Sequence, residues 1–176
     1  MSQTLLRRIV SATGLLTLTL GLGHALPVGA DELPKESVLP LALATTAATA
    51  AVEQCRADGY RVTAAVVDRQ GLLRAQLRAD GAGPHTLDSS RKKAYTAASL
   101  RRTTSDLAEL IAKVPSLQAL RDMNQEILML GGGLPAFING ELVGAIGVGG
   151  APGTQFDDAC AQKGLDAVGA TAKPAS

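Results

Sequence analysis

Residues 136–148 read AFINGELVGAIGV, from Ala136 to Val148. Asn139-Gly140 is the strongest turn signal in the chain, because both residue types accept the positive φ that a type I′ hairpin requires at its two central positions. The turn joins Ala136-Phe137-Ile138 to a second strand, Leu142 to Val148, and strands joined this way run antiparallel. A second pair lies upstream. Arg61 to Val67 reads as a strand, and beyond the short loop Asp68-Arg69-Gln70-Gly71 the residues Leu73, Ala75 and Leu77 alternate with Arg74, Gln76 and Arg78.

Helical segments separate the hairpins. Between Ser37 and Asp58, Val38, Leu41, Thr45, Ala48, Val52 and Cys55 recur every three or four residues, which predicts one stripe of a long helix. Pro40 suits its first turn and Gly59 its left-handed stop. After a break at Asp80-Gly81-Ala82-Gly83-Pro84, the composition is helical again from Asp88 to about Arg102. A short helix is expected from Ser105 to Lys113, ended by Pro115, then a turn or two around Leu117 to Met123 and a strand from Ile127 to Leu130. The last helix is expected from Thr154, capped by its hydroxyl, with Asp157 favoured in the first turn and Phe156, Ala159, Cys160 and Ala167 on the inner side. From Ala167 onward the Ala- and Gly-rich tail reads as frayed. The order helix, hairpin, helices, hairpin, helix predicts an α+β domain, an antiparallel sheet with flanking helices, and disfavours a parallel doubly wound fold.

The N-terminus carries Arg7 and Arg8 as its only charges, then the apolar run Ile9 to Leu22, then Val28-Gly29-Ala30 before Asp31. These are the three parts of a secretory signal peptide, residues 1–30, and the apolar run is shorter than the ~18 residues that span a bilayer. Cleavage after Ala30, with Ala25 as a lesser alternative, leaves one domain, 31–176, in the periplasm or outside the cell. Losing two arginines brings the 17 Lys+Arg of the whole chain to 15, against 16 Asp+Glu. So balanced a chain has no general electrostatic attraction for nucleic acid or an anionic membrane. With no tryptophan, 2 Tyr and 2 Phe, the core has to be built from Ala, Val, Leu and Ile. Cys55 and Cys160 fall on apolar helix faces outside any metal-binding spacing, and an oxidising compartment permits a disulfide between the first and last helices.

The residues able to carry chemistry gather between Asp80 and Arg102. His85 is the sole histidine left after the leader, and it follows the Gly-Ala-Gly-Pro loop. Arg91, Lys92, Lys93, Arg101 and Arg102 come with no acid between Asp88 and Asp106. A histidine beside such a helix offers what a haem needs, an imidazole nitrogen for iron and cations for two propionates. A lone exposed histidine and a solvated Lys/Arg face remain the plain alternative. Three enzyme readings fail: the S-x-x-K matches at Ser89 and Ser90 lack their partner motifs, no G-x-S-x-G elbow accompanies His85, and the glycine-rich stretches at 131–133 and 144–153 lack a Walker lysine. The glycines there read as sites of close approach by strands and loops.

The run of motifs Arg78-Ala79-Asp80-Gly81-Ala82, Lys93-Ala94-Tyr95-Thr96-Ala97, Gly131-Gly132-Gly133-Leu134-Pro135, Gly144-Ala145-Ile146-Gly147-Val148 and Asp158-Ala159-Cys160-Ala161 resembles the GlcG/HbpS haem-binding family. It is also similar to the C-terminal part of PduO-type corrinoid adenosyltransferase proteins. The match runs from about Val38 to Val168. The resemblance implies a profilin-like single domain, a sheet flanked by helices that assembles into a homo-oligomer and binds haem or a related tetrapyrrole. It also implies roles for exported members in haem sequestration or degradation, or as accessory partners of sensor kinases. Where the family usually carries a serine after the fourth motif, this chain has Gly149.

The candidate haem-binding set is therefore His85, Arg91, Lys92, Lys93, Tyr95 and Thr96, with His85 as the iron ligand and Tyr95, then Met123 or Met129, as its substitutes. Two other functions stay open. One is oxidative haem breakdown or another reaction on a small substrate, for which the sequence offers no acid-base pair; the other is a scaffold or sensor-accessory module whose loops serve oligomer contacts.

Overall fold

The computed structural model describes residue 33 and residues 35–174. The chain divides into two units, Met1–Lys35 and Glu36–Ser176, and the second is described below. The predicted leader lies outside the described residues.

The elements follow in the order α1 (Leu41–Ala57), β1 (Thr63–Asp68), β2 (Leu73–Arg78), α2 (His85–Leu100), α3 (Thr104–Lys113), a 3₁₀ segment (Pro115–Asp122), β3 (Gly133–Ile138), β4 (Glu141–Gly149) and α4 (Thr154–Asp166). The four strands form one antiparallel sheet in the order β2-β1-β4-β3. This is the α+β arrangement read from the hairpins. Asn139 and Gly140 hold φ of 52° and 79° in the turn between β3 and β4, the left-handed pair a type I′ connection needs.

The sheet separates two apolar layers. On one face α1 and α4 enclose the larger core, with Val62, Ala64, Val66, Ile146 and Val148 from the sheet and Leu165 from α4. On the other face α2 lies on Val67 and Ala145 through Ala94, Ala97 and Ala98. Small side chains make this possible. A Cβ at Gly147 would stand 2.1 Å from the Ser90 carbonyl oxygen and 2.6 Å from the Ala94 nitrogen, so α2 rests almost directly on the backbone of β4.

Several sequence expectations are corrected. The buried side of α1 is Ala44, Ala47, Ala48, Ala51 and Cys55, while Val38, Leu41 and Thr45 are exposed. Close packing against α4 selects the smallest residues over the largest. Along α4, Asp157, Cys160, Ala161, Gly164 and Leu165 face inward, whereas Phe156, Ala159 and Ala167 are exposed. Gly153, and not a Thr154 hydroxyl, occupies the helix cap. Leu73 and Leu77 are partly exposed because β2 is an edge strand. Residues 127–130 form no strand; β3 begins only at Gly133 and carries Pro135, which an edge position tolerates. The tail is not frayed through Thr171, since Thr171 and Phe137 exchange two backbone hydrogen bonds of 2.9 Å and Ala170 is buried.

Cys55 of α1 and Cys160 of α4 are joined by a disulfide, S–S 2.07 Å, with Cα atoms 5.6 Å apart. No helix among the described residues is long and apolar enough to cross a membrane.

Candidate functional site

α2 begins three residues earlier than its composition suggests. His85 is its first residue and is not part of the preceding loop, because Pro84 already has helical φ and ψ of −62° and −30°. The Thr86 hydroxyl anchors this end, lying 2.6 Å from the Gly83 carbonyl oxygen and 2.6 Å from the Thr63 hydroxyl of β1. The imidazole of His85 is exposed and folds back over Gly83, where an added Cβ would meet its Cε1 at 2.6 Å. Among the described residues no hydrogen bond or ion pair engages the ring, so a nitrogen is available to a metal.

Seven residues make nearly two full helical turns, so Lys92 shares the outer face of His85, about 10.5 Å along the axis. Its Nζ lies 3.0 Å from Asp88 Oδ2. Arg91 turns to the flank, where Nη2 stands 3.2 Å from Asp88 Oδ1 and Nη1 donates to Glu126. The ammonium of Lys92, with Arg91 behind it, holds the exposed Asp88 carboxyl below its ordinary value. Glu126 and then Asp88 push the Arg91 guanidinium still further above its own.

Lys93 is not part of this surface. It is 2% exposed and donates to Asp157 Oδ2 at 2.8 Å and to the Val148 carbonyl oxygen at 2.9 Å. Its inclusion among the propionate-binding cations is corrected: it stands three residues after Ser90 and four before Ala97, both buried, and so falls in the inner stripe of α2. That periodicity was available in the sequence. Thr96 is likewise buried, and its hydroxyl accepts the Leu128 N–H at 2.8 Å. Tyr95 is half-buried, its ring against Gly71 and its hydroxyl 3.4 Å from Asn124 Nδ2.

Residues 124–128 are thus a strap across α2, with Asn124 meeting Tyr95, Glu126 meeting Arg91 and Leu128 meeting Thr96. No hydrophobic pattern in the sequence marked this strap, because it is held by polar contacts at alternate residues, through the side chains of Asn124 and Glu126 and the backbone N–H of Leu128. Of the substitute ligands, Met123 is exposed and Met129 half-buried. Five cavities stand out among the described residues, and none is lined by His85, Arg91, Lys92, Lys93, Tyr95 or Thr96. The structure therefore places an open imidazole and a partly neutralised cation on one helix face, outside these five cavities.

A family model described as haem degrading protein HbpS-like matches residues 39–166, which span both core layers and α2. The chain belongs to the HbpS-like family. A double mutant of HbpS from Streptomyces reticuli is 44% identical and superposes with a TM-score of 0.72, covering 81% of this chain and 96% of that one. Protein GlcG of Escherichia coli is 31% identical over 111 residues, 63% of this chain and 81% of GlcG. PduOC, solved as a haem complex, shares the fold at 24% identity and a TM-score of 0.72, covering 78% of this chain and 99% of that one. The family resemblance read from the five motifs is thereby established, together with the fold it implied.

Proposed function

We propose that this member of the HbpS-like family is an exported haem-binding protein in which His85 supplies the iron ligand and Lys92, with Arg91 beside it, meets the propionates. The observation that carries the reading is the imidazole of His85, exposed and unengaged among the described residues at the head of α2, two turns from Lys92 on the same face. The residues fit the group in donor chemistry: a neutral imidazole nitrogen suits iron, and an ammonium suits a carboxylate. Haem would supply the iron and its redox chemistry; the chain would supply orientation. The open surface at His85 favours a site completed by a second copy, in line with the homo-oligomer the resemblance implies. The disulfide between α1 and α4 supports an oxidising compartment, and sequestration or sensing, with a sensor kinase as partner, are the roles such a protein would serve.

Titration of the purified protein with haemin tests this. A shifted Soret band is expected for the wild type, with affinity reduced at least tenfold in His85→Ala. No Soret change for the wild type, or an unaltered spectrum and affinity in the variant, refutes the assignment.

The family's description favours a second reading, haem degradation. The acid nearest in sequence to His85, Asp88, is tied to Lys92 and Arg91 and is held in its ionised form, so it is a poor proton donor. Loss of the Soret band with ascorbate and oxygen, set against a free-haemin control, would establish turnover.

A further inference from the structure

α2 ends on Arg101, which holds φ 53° and ψ 35°. This is the left-handed geometry in which helices commonly stop on glycine or asparagine, because a Cβ crowds the neighbouring carbonyl. A bulky residue kept in that conformation points to a use for its side chain. Arg101 lines a cavity of about 420 Å³, together with Arg69 from the β1–β2 turn. Phe137, Leu142 and Pro174 give it apolar walls, and Glu141 stands at its edge. The volume lies in the range of small-molecule sites, about 300–1,000 Å³.

The charges here are unevenly spent. Arg69 Nη1 is 3.5 Å from Glu36 Oε1, and the Glu141 carboxylate accepts the Ser37 hydroxyl. No hydrogen bond or ion pair engages Arg101 among the described residues. An unengaged guanidinium beside an aromatic ring and a proline suits a flat body carrying a carboxylate, which guanidinium groups bind with two parallel hydrogen bonds.

We propose that this cavity, between the two hairpin turns and the end of α2, is a binding site for a small aromatic carboxylate, with Arg101 as its anion contact and Arg69 in support. The site lies at the far end of α2 from His85, about 24 Å along a 16-residue helix, and does not rest on the haem reading.

Titration with 2-naphthoate, followed calorimetrically and by saturation-transfer NMR, tests it. Saturable binding is expected for the wild type, weakened at least tenfold in Arg101→Gly and less in Arg101→Lys, and unchanged in His85→Ala. The melting temperature of Arg101→Gly should stay level or rise, since glycine accepts this backbone freely. Absence of saturable binding to the wild type, or equal binding in Arg101→Gly, overturns the proposal. A clear fall in the melting temperature of Arg101→Gly also overturns it, because it would show the arginine to be retained for the helix end.

Discussion

Lys93 Nζ lies 2.8 Å from Asp157 Oδ2, and both residues are almost wholly buried. Lys93 also donates to the Val148 carbonyl oxygen at 2.9 Å, while Asp157 Oδ1 accepts the Ala151 N–H at 3.1 Å. One pair thus fastens α2, the end of β4 and the start of α4 to each other. It ties the first residue of the second sequence motif, Lys93, to the residue just before the fifth, Asp157.

Lys93→Met should cost about 3–5 kcal/mol at neutral pH, because it strands a carboxylate in an apolar setting. Urea unfolding measures this. The double variant Lys93→Met/Asp157→Leu should regain most of the loss, since neither partner is then left uncompensated. Additive losses in the two single variants and the double would show that the residues are not coupled.

Burial pushes the Asp157 carboxyl above its ordinary value, and the attraction of Lys93 opposes this without cancelling it. The folded chain therefore holds this proton more tightly than the unfolded chain does. The contribution to stability is fully present below the unfolded value, about 3.9, and is lost as pH rises through the folded one. Carbon-detected NMR titration should give Asp157 a midpoint above about 3.9, moved further up in Lys93→Met. A midpoint below that value would mean that the ion pair outweighs burial.

How much of this was legible depended on whether a residue's role was written in local chemistry or in packing. Asn139-Gly140 fixes its turn by the φ angles both residues accept, and the antiparallel sheet followed from it. The choice of alanines over leucines on the inner side of α1 depends on how near α4 approaches, which no single-helix period contains. The site divides the same way. His85 stood out as the one histidine beyond residue 24, whereas the withdrawal of Lys93 needed its periodicity to be weighed above its charge, and the strap at 124–128 is held by polar contacts that no hydrophobic pattern announces.

Two glycines of β4 should respond differently to substitution. Gly147→Ala places a Cβ against the backbone of α2 at 2.1 and 2.6 Å, and the helix has to lift off the sheet to admit it. A loss of about 1–3 kcal/mol or more is expected. At Gly149, where the family resemblance implies a serine, Gly149→Ser meets the Ser89 hydroxyl at 2.9 Å, a side-chain tip that can rotate away. Its cost should stay below about 1 kcal/mol. Thermal unfolding of the two variants side by side checks the ordering, and equal losses would contradict the packing of α2 on β4.

The disulfide gives the last prediction. Cys55 and Cys160 are 105 residues apart in sequence, and closing a loop of that size restricts the unfolded chain by up to about 4.7 kcal/mol in the chain-entropy account. The rest of the α1–α4 contact is made largely by alanines and Gly164, which pack closely but bury little apolar area per residue. Cys55→Ala/Cys160→Ala should therefore unfold at markedly lower urea than the oxidised wild type, by an amount approaching that figure less any relaxation of the native state. Protein made under reducing conditions should behave like the variant until it is oxidised, and intact mass under denaturing, non-reducing conditions should find no free thiol in material made in an oxidising compartment. A difference under about 1 kcal/mol between oxidised and cysteine-free protein would mean that packing alone holds the two helices together.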